Sequence, residues 1–201
     1  MKIVLSVVGL FASAAIAAAV PEGQGWYLRR ADEMDQEDLP IVDLEVTDDR
    51  HEGVTFYGTA QSIYEQIKEL DPEAFANVTE TSLDSLTARA LEERQGSFNC
   101  GWGNLVGNWV TQCSEGLNYL RNLGTRWCGV NAAPACARVS CSHNCGMFLC
   151  NKLGHHLQVH CQDIATDIED IAVNCQSQVF ARTRGARDFA SHFIGLSQVS
   201  C

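Results

Sequence analysis

The ten cysteines of the chain are Cys100, Cys113, Cys128, Cys136, Cys141, Cys145, Cys150, Cys161, Cys175 and Cys201, and none precedes residue 100. An even number confined to one half of a chain reads as a disulfide framework of up to five bridges, provided the protein matures in an oxidising compartment. Counting leaves the pairing open, because ten cysteines allow on the order of nine hundred connectivities. The densest stretch is Cys136-Ala-Arg-Val-Ser-Cys-Ser-His-Asn-Cys-Gly-Met-Phe-Leu-Cys-Asn151, four cysteines in sixteen residues. Within it Val139 and Cys141 alternate with Arg138, Ser140 and Ser142, the period of a half-buried strand. His143-Asn144 breaks the run, and 146–150 resumes as a second, apolar strand. The stretch predicts a sulfur-rich hairpin to which flanking helices are tied.

The N-terminus speaks to the compartment. Lys2 is followed by an uncharged apolar run over 3–16 and by the small-x-small triplets Ala15-Ile16-Ala17 and Ala17-Ala18-Ala19. That is the layout of a secretory signal peptide, 1–19. The run is shorter than the about 20 apolar residues that a spanning helix needs. The expectation is a secreted, extracellular protein with no transmembrane segment.

Charge divides the rest in two. Residues 20–94 carry 19 Asp/Glu against 6 Lys/Arg, a net of −13, while 95–201 carry 6 against 7, a net of +1. A cysteine-free acidic stretch between a signal peptide and a cysteine-rich domain reads as a pro-segment. Arg29-Arg30 offers a dibasic cleavage site at Arg30, and Arg94 a monobasic one. The domain plan is therefore 1–19, 20–94 and 95–201. Within the acidic part, 21–52 is charged, poor in periodic apolar positions and expected to be extended or disordered. Residues 54–58 read as a strand, and 59–70 as a helix with Ile63, Ile67 and Leu70 on one stripe, stopped by Asp71-Pro72. Asn77-Val-Thr79 is an N-glycosylation acceptor triplet. Two other readings of the segment stay open: a retained acidic arm that solubilises the protein, or a folding chaperone whose charge opposes aggregation.

In the cysteine-rich domain, 105–123 reads as an amphipathic helix with Val106, Val110, Cys113, Leu117 and Leu120 on one stripe and Gly124 as its cap. A loop carrying Trp127, Cys128 and Pro134 precedes the hairpin, and 151–160 connects onward. A second helix over 163–175 aligns Ile164, Ile168, Ile171 and Cys175. Strands are expected at 178–182 and 193–199, with a short one near Cys100. The order predicts an α+β fold, two helices packed on one small antiparallel sheet and stapled by disulfides. Cys113 and Cys175 lie on the inward stripes, and Cys201 ties down the chain end.

The segments Cys113-Ser-Glu-Gly-Leu-Asn-Tyr-Leu-Arg-Asn122, Cys136-Ala-Arg-Val-Ser-Cys141-Ser, Cys150-Asn151, Asp163-Ile-Ala and the final Ser-Cys together resemble a family of small secreted cysteine-rich proteins of filamentous ascomycete fungi. The resemblance covers 98–201 and extends to Tyr57-Gly-Thr-Ala-Gln-Ser-Ile-Tyr-Glu-Gln, which is similar to the family's pro-region. Members are similar to secreted effectors and, in layout, to fungal killer toxins with an α/β sandwich. The resemblance implies a factor directed at a host or competitor, and no catalytic residue. Cys145 and Cys161 depart from the family pattern, which implies that they pair with each other as an added bridge. The Asn151-Lys-Leu-Gly sequence departs from it as well.

Other chemistry is sparse. His155, His156 and His160, with His143 nearby, form the one cluster with metal-ligand potential. No glutamate lies between His156 and His160, however, and cysteine ligands would have to stay reduced. Surface histidines near a turn, with no metal and no cofactor, are the expectation. A ribonuclease-like hydrolase would draw on His143, His160, Glu115 and Arg138; the near-neutral domain argues against nucleic-acid binding. Arg182, Arg184 and Arg187 read as a solvated turn or a small basic patch. The function expected is that of a monomeric secreted effector or toxin that binds a host or competitor protein or surface. A small secreted hydrolase and a structural cell-wall protein are the alternatives.

Overall fold

The computed structural model describes residues 39–75, 96–131, 134–177 and 181–201. The expected signal peptide over 1–19, the expected processing sites Arg30 and Arg94 and the acceptor Asn77 lie outside the described residues.

The acidic part opens with two short strands, β1 (Ile41–Val42) and β2 (Leu44–Thr47). Leu44 and Val46 are fully buried and alternate with Glu45 and Thr47, so the stretch expected to be extended or disordered is partly sheet. A strand of four residues offers too few periods for its pattern to stand out from a charged background. β3 (Thr55–Gly58) pairs with β2, and α1 (Ala60–Leu70) follows. Thr59 caps α1 reciprocally: the Ser62 amide donates to its hydroxyl at 3.3 Å, and its own amide donates to the Ser62 hydroxyl at 2.9 Å. Ile63 and Ile67 are buried, whereas Leu70 turns outward.

The cysteine-rich part begins with β4 (Ser97–Asn99), then α2 (Trp109–Gln112) and α3 (Ser114–Leu123). The continuous helix expected over 105–123 is thus two helices that start later and break at Cys113. Val106 is drawn instead into a β-bridge with Thr183, and Val110 faces outward. Gly124 ends α3 at φ 63°, its amide donating to the Leu120 and Arg121 carbonyls. Gly116 is where α3 approaches the sheet: a Cβ there would sit 2.2 Å from the Ser140 hydroxyl, so any larger residue forces the layers apart.

Six strands and one helix complete the chain: β5 (Trp127–Val130), β6 (Ala135–Ser142), β7 (Cys145–Asn151), β8 (Leu157–His160), α4 (Cys161–Cys175), β9 (Gly185–Asp188) and β10 (His192–Gln198). β5 occupies part of the stretch expected to be a loop. Residues 181 and 182 of the strand expected over 178–182 are not strand, and 178–180 lie outside the described residues. The β6–β7 hairpin turns through His143 and Asn144, at φ 50° and 64°, a two-residue turn with both central residues left-handed. The register of β6 shifts between Arg138 and Ser140. That bulge breaks the simple alternation read from the sequence: Ser140 pairs with Met147 and meets α3, and Cys141 pairs with Gly146.

Among the described residues ten strands form two sheets, not one. The larger runs β1-β6-β7-β10-β9-β4, with β1 parallel to β6 and the other pairs antiparallel; the smaller, antiparallel throughout, runs β3-β2-β5-β8. Among the described residues there are four helices; α1 and α4 both pack on α3, and α4 also packs on β9 and β10. The α+β class holds, but the plan of two helices on one sheet does not: within the cysteine-rich part β5 and β8 leave the larger sheet for a second one, where β2 and β3 of the acidic part join them, and the first expected helix is split in two.

One core cluster joins the two charge regions. Leu44, Val46, Phe56, Ile63 and Ile67 share it with Leu117, Leu120, Leu123, Met147, Leu149, Ile164 and Ile168. Each such side chain contributes about 1.5–3 kcal/mol on burial. The other face of the larger sheet carries Cys136, Phe148, Cys150 and Phe193 under Trp102, whose ring lies 5.9 Å from Phe148 and 5.7 Å from Phe193.

All ten cysteines are bridged: Cys100–Cys175, Cys113–Cys145, Cys128–Cys161, Cys136–Cys150 and Cys141–Cys201. The implied Cys145–Cys161 bridge is therefore not formed. Cys145 bonds Cys113 at the start of α3, whereas the Cys161 and Gln162 amides bond Arg126 and Gly124 beyond its end. Eleven residues of helical rise separate those ends by roughly 16 Å, far past the about 7 Å that a disulfide tolerates between Cα atoms.

Candidate functional site

The chain leaves the larger sheet at Val42, crosses at Asp43 and enters the smaller sheet at Leu44. A shallow cleft of about 400 Å³ opens at this crossing, lined by Val42, Asp43, Glu45, Tyr57 and Asn131. Strand alternation makes it: Leu44 and Val46 point into the core, so Glu45 faces outward between its register partners Tyr57 on β3 and Gly129 on β5. A Cβ on Gly129 would stand 2.8 Å from His156 Nε2. Its absence lets the imidazole reach Glu45, with Nε2 3.4 Å from Oε2. Two carboxylates, a half-exposed phenol, a carboxamide and an imidazole thus meet at one surface. Such a surface can hold a cationic or hydrogen-bonding group; its volume falls in the lower part of the range of about 300–1,000 Å³ for ligand sites.

The histidines of the predicted cluster go separate ways. His155 is exposed and its carbonyl accepts from Asn151 at 2.8 Å. His156 turns to Glu45. The His160 ring stacks on Trp127 at 4.0 Å, with Nδ1 2.7 Å from the Thr125 carbonyl. Among the described residues no three His, Cys, Asp or Glu side chains are grouped to hold a metal ion. The hydrolase constellation is also split. His143 Nδ1 lies 3.8 Å from Glu115 at the start of α3, while His160 bonds Thr125 beyond its end. Ten residues of helical rise, roughly 15 Å, part the two, so they cannot share one scissile bond. The basic trio dissolves too: Arg187 pairs with Asp167 at 2.9 Å and with Asp170, and Arg184 donates to the Gly103 carbonyl.

A second cluster was not legible in the sequence. At the β9–β10 turn, Ser191 Oγ lies 2.9 Å from His192 Nδ1, the His192 ring stacks on Phe189, and Lys152 Nζ is 2.7 Å from Asp188. Burial lowers the His192 pKa to about 4, the Lys152 cation assists, and the Asp188 carboxylate opposes. A Ser–His pair suggests nucleophilic chemistry, but a base this weak cannot take a proton near neutral pH. The neutral ring shares a hydrogen bond with the Ser191 hydroxyl that holds the turn. Adjacent Ser and His residues carry no spacing signal; only the pairing of β10 with β9 and with β7 brings Asp188 and Lys152 beside them.

Among the described residues no helix is long and apolar enough to cross a membrane. Comparison with family models, curated proteins and solved structures returns no match.

Proposed function

We propose that the chain is an exported binding protein, an effector or toxin directed at a host or competitor target, that is freed of residues 1–19 and matured by cleavage at Arg30 or Arg94. The observation that carries this reading is the complete bridging of ten cysteines, a chemistry of oxidising compartments. The resemblance to ascomycete secreted proteins supplies the class of target. Binding is favoured over turnover because the polar groups of the cleft line an open surface, whereas the two histidines of the hydrolase reading stand apart.

The test is application of the purified protein to host and competitor cells, native or reduced and alkylated, beside an assay of RNA turnover. A growth or death response to the native form alone, without RNA turnover, is expected. Hydrolysis lost in His143→Ala or His160→Ala would replace this reading with the hydrolase. Recovery in the wall fraction and not in the medium would favour a structural protein.

A further inference from the structure

The acidic unit 39–75 contains no cysteine, and all five bridges lie within 100–201. Its only covalent tie to the described cysteine-rich part is the backbone between Phe75 and Gly96. We infer that 39–75 is a resident, non-covalent subunit. Cutting that connection, as maturation at Arg94 would, leaves a two-chain particle and does not release a pro-peptide.

Four features support this. First, β2 is an interior strand of the smaller sheet, paired with β3 on one edge and β5 on the other through Glu45–Gly129, Val46–Cys128 and Thr47–Trp127. Withdrawing it strips the β5 edge of its partner. Second, β1 lies in the other sheet, parallel to β6, with the Cys136 amide donating to the Pro40 carbonyl at 2.9 Å. The unit therefore holds both sheets at once. Third, its apolar stripe is sealed in the shared core, and Tyr64 stacks on Phe75 and meets Tyr119 of α3 at 5.5 Å. Fourth, the two parts are latched by charge. Arg126 Nε donates to Asp48 Oδ2 at 2.7 Å, with the side chains 9 % and 6 % exposed, and the guanidinium lies 4.7 Å over the Phe75 ring. Asp48, buried at this seam and also held by Arg50 of its own unit at 3.1 Å, thus meets a buried cation of the near-neutral part, which fixes register as well as affinity.

The consequence reaches the cleft. Val42, Asp43, Glu45 and Tyr57 come from the acidic unit, while Asn131 and His156 come from the cysteine-rich part. A protein that shed 39–75 would lose most of the surface and expose core in its place. On the cleft reading, which this proposal deepens, the target meets a composite surface of both parts. Retention itself stands on packing and does not depend on what the cleft binds.

The test uses the full chain, folded and oxidised, with a site-specific protease sequence replacing 80–86 and cut after folding. Gel filtration and native mass spectrometry at micromolar concentration should show the fragments travelling together with the summed mass. In 6 M guanidinium without reductant they should separate, which identifies the association as non-covalent. Limited trypsin treatment of the unaltered chain, which carries Arg89 and Arg94 in the connection, gives a second route if the inserted site impairs folding. In the cut protein, Asp48→Ala should raise the rate of fragment loss at least tenfold, and Leu70→Ser at the exposed end of α1 should leave it within twofold. Release of 39–75 in native buffer, whether or not the remainder stays folded, overturns the proposal. So does an Asp48→Ala particle that dissociates no faster than the parent. The mass of the naturally secreted protein tests maturation separately.

Discussion

The unit 39–75 and the part 96–201 meet in one core but are held by different forces. The cysteine-rich part has five covalent closures, spanning 14 to 75 residues of sequence. The acidic unit has strand pairing, a buried stripe and one latched ion pair. Cross-links act chiefly by restricting the unfolded chain, whereas apolar burial and ion pairs act in the folded state. The two parts should therefore answer to different perturbations, and a fold shared between them should be lost when either support fails.

Reduction should have the largest effect. Bridges typically contribute 2–4 kcal/mol each, and domains are stable by only about 5–15 kcal/mol. Full reduction should therefore unfold both parts together, read by circular dichroism and amide exchange. Persistent protection of 39–75 after reduction would show that the acidic unit folds alone. Next comes the latch. Removing one partner of a buried ion pair costs about 3–5 kcal/mol, so Asp48→Ala should lower the urea midpoint sharply, and an unchanged midpoint would mean that Arg126 finds another partner. Ile63→Ala, by cavity formation, should cost about 2–5 kcal/mol. The half-exposed Ile41→Ala serves as its control, with a change within about 0.5 kcal/mol.

Acid should act on the cysteine-rich part through His192. Its folded pKa of about 4 lies below the ordinary 6.5, so between those values the unfolded state binds more protons. Stability from this residue is full above pH 6.5 and lost as pH falls towards 4, by ~3 kcal/mol at most. Lys152, Asp188 and Ser191 face the ring and shape the curve. Stability measured against pH should fall less steeply in His192→Gln. Equal slopes would assign the acid sensitivity elsewhere. The smallest effect belongs to Arg121–Glu169, a pair with both side chains well exposed. Arg121→Ala should shift stability by under about 1 kcal/mol.

Local order was legible where a pattern repeated. α1, α4, the β6–β7 hairpin and β10 all sit close to their expected positions, because each repeats its apolar period several times or ends on a strong stop. β1, β2, β5 and β9 were missed, the last where a solvated turn around Gly185 was expected; each is two to four residues long and assigned only by the strands beside it. Of the candidate cleft, the sequence pointed to His156 alone. Glu45, Tyr57 and Asn131 converge through strand register, and Gly129 reads as an ordinary glycine until a neighbouring imidazole is placed over it.

The sequence by itself determined that ten cysteines could close without remainder, that charge divides the chain near residue 95, and that helices and a cysteine-rich hairpin alternate. These follow from composition and from patterns repeated within a few turns or strands. Only the tertiary structure decided which cysteines meet, since pairing depends on which strands and helix ends the fold brings within reach of one another. It also decided that the acidic unit belongs to the fold. Charge makes that stretch look detachable, yet two alternating apolar residues in β2 and two on the α1 stripe are buried as completely as the bridged core around them.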